Sequence, residues 1–101
     1  MMPLELSAFI EADLDAIASF IAEDNPNRAV TFIRDIRAKF RAIQREPLIY
    51  QLRTDIGVDA RMASVGNYAI LFRITASAVR IERVIYAGRD LANVFDGPSQ
   101  P

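Results

Sequence analysis

Residues 61–91, RMASVGNYAILFRITASAVRIERVIYAGRDL, hold three short apolar runs divided by two turn signals. The runs are 61–65, 68–75 and 79–87; Gly66-Asn67 separates the first pair and Ala76-Ser77 the second. β-branched and aromatic residues fill each run, and each has the length of a strand. Connections this short can only return the chain beside itself, so the spacing predicts a three-stranded antiparallel meander. In the middle run Tyr68, Ile70, Phe72 and Ile74 share one face, while Ala69, Leu71, Arg73 and Thr75 share the other. Both faces begin apolar, so neither is simply wet. In the last run Arg83 falls in phase with Val79, Ile81 and Ile85. Either a bulge shifts the register there, or an arginine emerges beside the core.

The period changes upstream. Residues 4–9 alternate loosely and predict a short first strand. Ile10, Leu14, Ile17 and Ile21 then recur at steps of four, three and four, one stripe of a helix over 11–23. Glu11, Asp13 and Asp15 lie in its first turns, where acids favour the positive end of the helix dipole. Asn25-Pro26 pairs a good N-cap with the residue favoured at the first helical position, so a second helix starts there. Its apolar stripe is Ala29, Ile33, Ile36, Phe40 and Ile43, its polar face carries Arg34, Arg37, Lys39, Arg41 and Arg45, and Pro47 ends it. Two helices with matching stripes and a short connection form an antiparallel hairpin. Residues 48–59 are a connection anchored by Leu48, Ile49, Tyr50 and Ile56, with Gly57 as a turn residue and Tyr50 as a lid on the core. Leu91, Val94 and Phe95 are spaced for one helical turn, and residues 97–101 are expected to be disordered. The chain is thus expected to be one α+β domain over residues 1–96, a helical hairpin packed on an antiparallel sheet.

Composition narrows the chemistry. The 101 residues contain no Cys and no His. Disulfides and thiolate metal sites are excluded, as are the commonest metal ligand and the commonest general base at neutral pH. These absences favour a reducing, cytoplasmic setting. The N-terminal stretch has no basic n-region and no long apolar run, so neither a signal peptide nor a membrane span is expected. Net charge is −1, yet the charges are segregated: residues 1–27 hold six acids and no base, and residues 28–53 hold seven bases and two acids. Of the 12 basic residues only Lys39 is lysine, and arginine makes planar, bidentate pairs with carboxylate and phosphate.

No GxGxxG, P-loop, GxSxG or HExxH motif is present. Asp13 and Asp15, two residues apart on a helix, do not face each other and read as a solvated acidic face. The serines have no histidine to activate them. What remains is the set of sheet arginines, Arg61, Arg73, Arg80, Arg83 and Arg89, with Tyr68, Tyr86 and the Gly88-Arg89-Asp90 corner. Such a cluster can hold nucleic-acid phosphates or the acids of a partner protein. Arg73, Arg80 and Glu82 are equally readable as cross-strand charge pairs. Arg83 and Arg89, at the end of the last strand and its exit, point towards function.

The segments DLDAIASFIAEDNPNRAVTFIRDI, ARMASVGNYAILFRI and VRIERVIYAGRDL together resemble toxins of the RelE/ParE superfamily of bacterial type II toxin–antitoxin modules, and are most similar to the ParE branch. The resemblance implies a βααβββ fold. It implies a toxin that binds and poisons DNA gyrase and is neutralised by a cognate antitoxin in a toxin–antitoxin hetero-oligomer. Operator DNA would be met only through the antitoxin, with no cofactor, no metal and no membrane. Arg61, Arg73, Arg83, Tyr86, Arg89 and Phe95 are the residues expected to contact antitoxin or target. The RelE-like alternative is a ribosome-dependent mRNA endonuclease. The chain departs from that pattern at Phe95, where the nucleases carry a tyrosine, at Ala69, where they carry an arginine, and in residues 56–60, which lack their lysines. Tyr86 stands where many ParE-like chains carry histidine. Binding is therefore expected in place of catalysis.

Overall fold

A computed structural model describes residues 1–95; residue 96 and the tail expected to be disordered lie outside the described residues. The elements in order are β1 (Leu4–Leu6), α1 (Ile10–Ala22), α2 (Pro26–Arg45), a 3-10 turn (Pro47–Ile49), β2 (Arg61–Val65), β3 (Tyr68–Ile74), β4 (Val79–Tyr86) and α3 (Leu91–Phe95). No helix among the described residues is long and apolar enough to cross a membrane.

The sheet runs β1-β4-β3-β2. The predicted meander is antiparallel throughout β2, β3 and β4. β1 instead lies parallel to β4, pairing Leu4 with Val79 and Leu6 with Ile81, so the sheet is mixed and not wholly antiparallel. The helical hairpin supplies the crossover that a parallel pairing requires.

Asn25 starts α2 as expected: its Oδ1 accepts the Arg28 backbone N–H at 3.0 Å, and Pro26 occupies the first turn. The hairpin buries Ile10, Leu14, Ile17, Phe32, Ile36, Phe40 and Ile43 against Ala63, Ile70, Phe72, Val79, Ile81 and Val84 of the sheet. Phe32 takes the buried position that periodicity gave to Ile33, which is only half-buried. Tyr50 packs edge-on against Phe72, with centroids 5.8 Å apart. The opposite face carries a second, smaller core of Ile56, Ala60, Ala69, Leu71, Ile85 and Phe95, roofed by the connection before β2 and by α3. Both faces of β3 are therefore covered, which accounts for its nearly continuous apolar run. In the connection the left-handed residue is Asp59 (φ 58°), a type that tolerates that region without being glycine.

Of the two readings left open at Arg83, the register shift is the one that forms. Leu71 pairs with Arg83 but Phe72 pairs with Ile81, so Glu82 is the extra residue. The insertion lets both Ile81 and Val84 face the helices. β1 has ended by this point, so the bulge has no strand on its outer side. α1 takes over. The Ser7 hydroxyl donates to the Glu82 carbonyl at 2.6 Å, and the Ser7 backbone N–H donates to the Ile81 carbonyl at 2.9 Å. The Asp13 carboxylate accepts the Val84 backbone N–H at 3.0 Å and both Nε and Nη2 of Arg83 at 2.9 Å. Backbone groups stranded by the bulge are thus satisfied from the start of the helix.

Candidate functional site

Where the hairpin tip meets the end of the sheet, an open apolar groove of about 640 Å³ forms. Phe20 and Ile21 come from the last turns of α1, Arg28 and Phe32 from the first turns of α2, Gly66 and Asn67 from the β2–β3 turn, and Tyr68 and Tyr86 from the sheet. The rings form a continuous wall. Phe32 and Tyr68 lie 5.6 Å apart, and Tyr68 and Tyr86 6.1 Å apart edge-on, both within the range of favourable aromatic contact. The Arg28 guanidinium caps the wall 5.0 Å from the Phe32 centroid.

Two glycines make this wall possible. Gly66 sits at φ +56°, and a Cβ there would lie 3.2 Å from Phe32 Cε1, so the turn requires glycine for its backbone and for the ring beside it. At Gly88 a Cβ would fall well inside van der Waals contact with the Tyr86 ring. Gly88→Ala is therefore expected to swing Tyr86 off the wall. Because that ring is already exposed, the cost in stability should stay within about 1 kcal/mol, while the groove loses one side. Thermal melting together with Tyr86 ring resonances would show it; an unmoved ring in a folded variant would contradict the packing described.

Phe20 remains 66% exposed and Tyr86 53% exposed. An aromatic outside the buried stripe of an amphipathic helix is the sequence signal for this groove. Phe20 was missed because periodicity marks only what the hairpin itself buries, and Phe32 because the stripe was drawn one residue on, through Ile33.

The six residues expected to serve a partner do not converge. Tyr86 lines the groove. Arg89 is exposed just beyond β4, bordering two smaller clefts, and its guanidinium makes no ion pair among the described residues. Arg61 donates through Nη1 to the Tyr50 carbonyl at 2.7 Å and so ties the connection to β2. Arg83 grips Asp13 and lies 4.8 Å over the Phe9 ring. The Asp13 hydrogen bonds raise its pKa above the usual arginine value against the opposing effect of burial.

Arg73 and Phe95 occupy the other face of the sheet. The Arg73 guanidinium covers the Phe95 ring at 4.1 Å, donates to the Val58 carbonyl at 3.0 Å and pairs with Glu82 at 3.4 Å. Arg80 pairs with Glu5 at 2.6 Å and with Glu82 at 3.2 Å. The hydrogen bond to Glu5 raises the Arg80 pKa, with burial opposing and the charges of Glu82 and Glu5 reinforcing. The expected charge pairing is therefore present: Arg73–Glu82 crosses from β3 to β4, Arg80–Glu82 lies within β4, and the cross-strand partner of Arg80 is Glu5 on β1. Two acids meet two arginines there, so the small cleft of about 360 Å³ above them is not an open seat for a polyanion. No group of three or more Asp or Glu that could hold a metal occurs among the described residues. The arrangement can bind through shape, apolar area and charge.

A helical hairpin laid on one face of a four-stranded mixed sheet is the architecture of a known class of small α+β proteins. The backbone matches a solved structure described as "Chromosomal ParDE TA system from P. aeruginosa" with a TM-score of 0.74, at 22% identity over 85% of this chain and 96% of that chain. At that identity the likeness is one of fold. The family described as "ParE toxin of type II toxin-antitoxin system, parDE" matches residues 4–91, and the chain belongs to it. No curated protein matches the sequence.

Proposed function

We propose that the chain is a growth-arresting toxin that works by binding, with DNA gyrase as its target, and that a cognate antitoxin silences it by seating apolar side chains in the aromatic groove. The observation that carries the binding mode is the groove itself. Exposed Tyr86 belongs to a wall of rings in tilted and edge-on contact, and exposed Phe20 lines the same groove, the kind of surface on which an amphipathic partner segment finds anchors. Tyr86 and Arg89 are the contact residues in this proposal. Arg61, Arg73, Arg83 and Phe95 serve by holding the surface in shape. Sequence-specific operator contact belongs to the antitoxin, and the complex is a toxin–antitoxin hetero-oligomer working in the bacterial cytoplasm. The gyrase assignment rests on the ParE resemblance. It is supported by Phe95, which stands where the RelE-like nucleases carry tyrosine and is buried in the second core.

Induced expression tests the target. Growth arrest with accumulated gyrase–DNA cleavage complexes and intact transcripts is the expected outcome. Transcripts cut within codons on primer extension would overturn the gyrase assignment in favour of the nuclease. Arrest relieved by co-expressing the neighbouring antitoxin gene, with a groove-blocked toxin no longer rescued, is expected for the antitoxin assignment.

A further inference from the structure

The outer face of α2 carries three arginines that the fold leaves unused. Arg34, Arg41 and Arg45 are exposed and make no hydrogen bond or ion pair with any described residue. Other arginines of the same helix are neutralised: Arg28 by Asp35 at 3.3 Å and Arg37 by Glu11 at 2.9 Å. Offsets of seven and four residues bring the remaining three within about 20° of one line along the helix, spanning about 17 Å. Ala38 and Ala42 lie between them. The acids next to them in sequence are Asp35, which is engaged with Arg28, and Glu46 beyond Arg45 at the helix end.

We infer that this line is a sequence-independent binding site for the phosphate backbone of duplex DNA, belonging to the toxin chain itself and needing neither antitoxin nor target. The argument is charge complementarity with a geometric match. Arginine forks pair bidentately with phosphate. Phosphates of one strand climb about 3.4 Å along the duplex axis and also wind around it, so a straight line of this length meets about one phosphate for each of its arginines. The alanines are small enough to let a backbone approach and too small to anchor a protein. No aromatic side chain lies along the line to stack an unpaired base, which favours a duplex over a single strand. The overall charge of −1 does not prevent this, because potentials from groups beyond about 10 Å are screened at moderate salt. In a cell the contact would hold the toxin loosely on DNA, close to any enzyme working there.

The test is fluorescence anisotropy of a short duplex of arbitrary sequence titrated with the purified full-length chain. Three neutralised phosphates predict a log–log salt slope of about −2.7, so a fourfold rise in salt should weaken binding about 40-fold. Replacing all three residues (Arg34→Gln, Arg41→Gln, Arg45→Gln) should abolish that slope without lowering Tm, since none of them packs against the fold. The corresponding triple Lys variant should keep it. A Gln variant that binds like the parent would overturn the inference. So would a parent chain with no measurable slope, one that binds single-stranded RNA more tightly than the duplex, or one that binds a polyglutamate peptide as tightly as the duplex. Because neither gyrase nor antitoxin is in the cuvette, none of these outcomes depends on the proposed toxin mechanism.

Discussion

Asp13→Ala is expected to lose about 3 kcal/mol of stability in urea denaturation, equivalent to a fall of about 15 °C in Tm. The carboxylate is 10% exposed and its Arg83 partner 23% exposed, so most of the pair's charge is held away from water. Truncation strands two things at once. The Arg83 guanidinium loses a bidentate partner, and the Val84 N–H loses its acceptor on the stretch of β4 that β1 does not cover. Each lost bond to a charged group contributes about 1.5–3 kcal/mol; rotation of the arginine to solvent recovers part. Asp13→Asn keeps an oxygen for Val84 and should fall between the parent and the alanine variant. Loss of less than about 1 kcal/mol in Asp13→Ala would mean that the bulge is held by Ser7 and packing alone. The same logic makes Arg83→Ala destabilising, because it leaves a nearly buried carboxylate with one backbone donor. Lost toxicity in that variant would therefore report folding as much as contact, and the two must be separated by a melt.

The sequence carried the hairpin, the meander and even the irregularity at Arg83, because each is written in local periodicity. Steps of three and four marked α1 and α2, alternation marked the strands, and an arginine in an apolar phase marked the bulge. The partner of that arginine was not legible. Asp13 looked like part of a wet acidic face, since a helix viewed alone does not reveal what crosses it from residue 83. One signal was there: Asp13 lies three residues after Ile10 and four before Ile17, on the flank of the buried stripe. The parallel placement of β1 was hidden for a similar reason. Three residues carry too little pattern to specify direction, and their partner β4 lies at the far end of the chain, beyond the hairpin, β2 and β3. The candidate site was least legible. Reasoning from charge gathered Arg73, Arg83, Arg89 and Tyr86 into one cluster. The pleat, the bulge and the second core distribute them to two faces and an edge. The groove is built from rings that converge only when the hairpin tip reaches the far end of the sheet.

Phe20→Ala is the second large effect expected, and it falls on binding and not on folding. The ring is two-thirds exposed and shares no close ring contact with Phe32, Tyr68 or Tyr86, so its removal should leave Tm within about 1 °C. Against the cognate antitoxin the same change should weaken binding about 30-fold or more, the loss of about 2 kcal/mol typical of an aromatic anchor at the centre of an interface. The contrast with Tyr68→Ala gives the experiment its force. Tyr68 bridges Phe32 and Tyr86, so its truncation should lower both Tm and affinity. Only an exposed ring awaiting a partner can separate the two readouts. Calorimetric titration of antitoxin into each variant decides the matter: unchanged affinity in Phe20→Ala would place the antitoxin elsewhere. The outer edge of β2 beyond Arg61, which Leu52 already bridges, would then be the next surface to probe, since an edge strand offers an extended segment a ladder that needs no aromatic anchor.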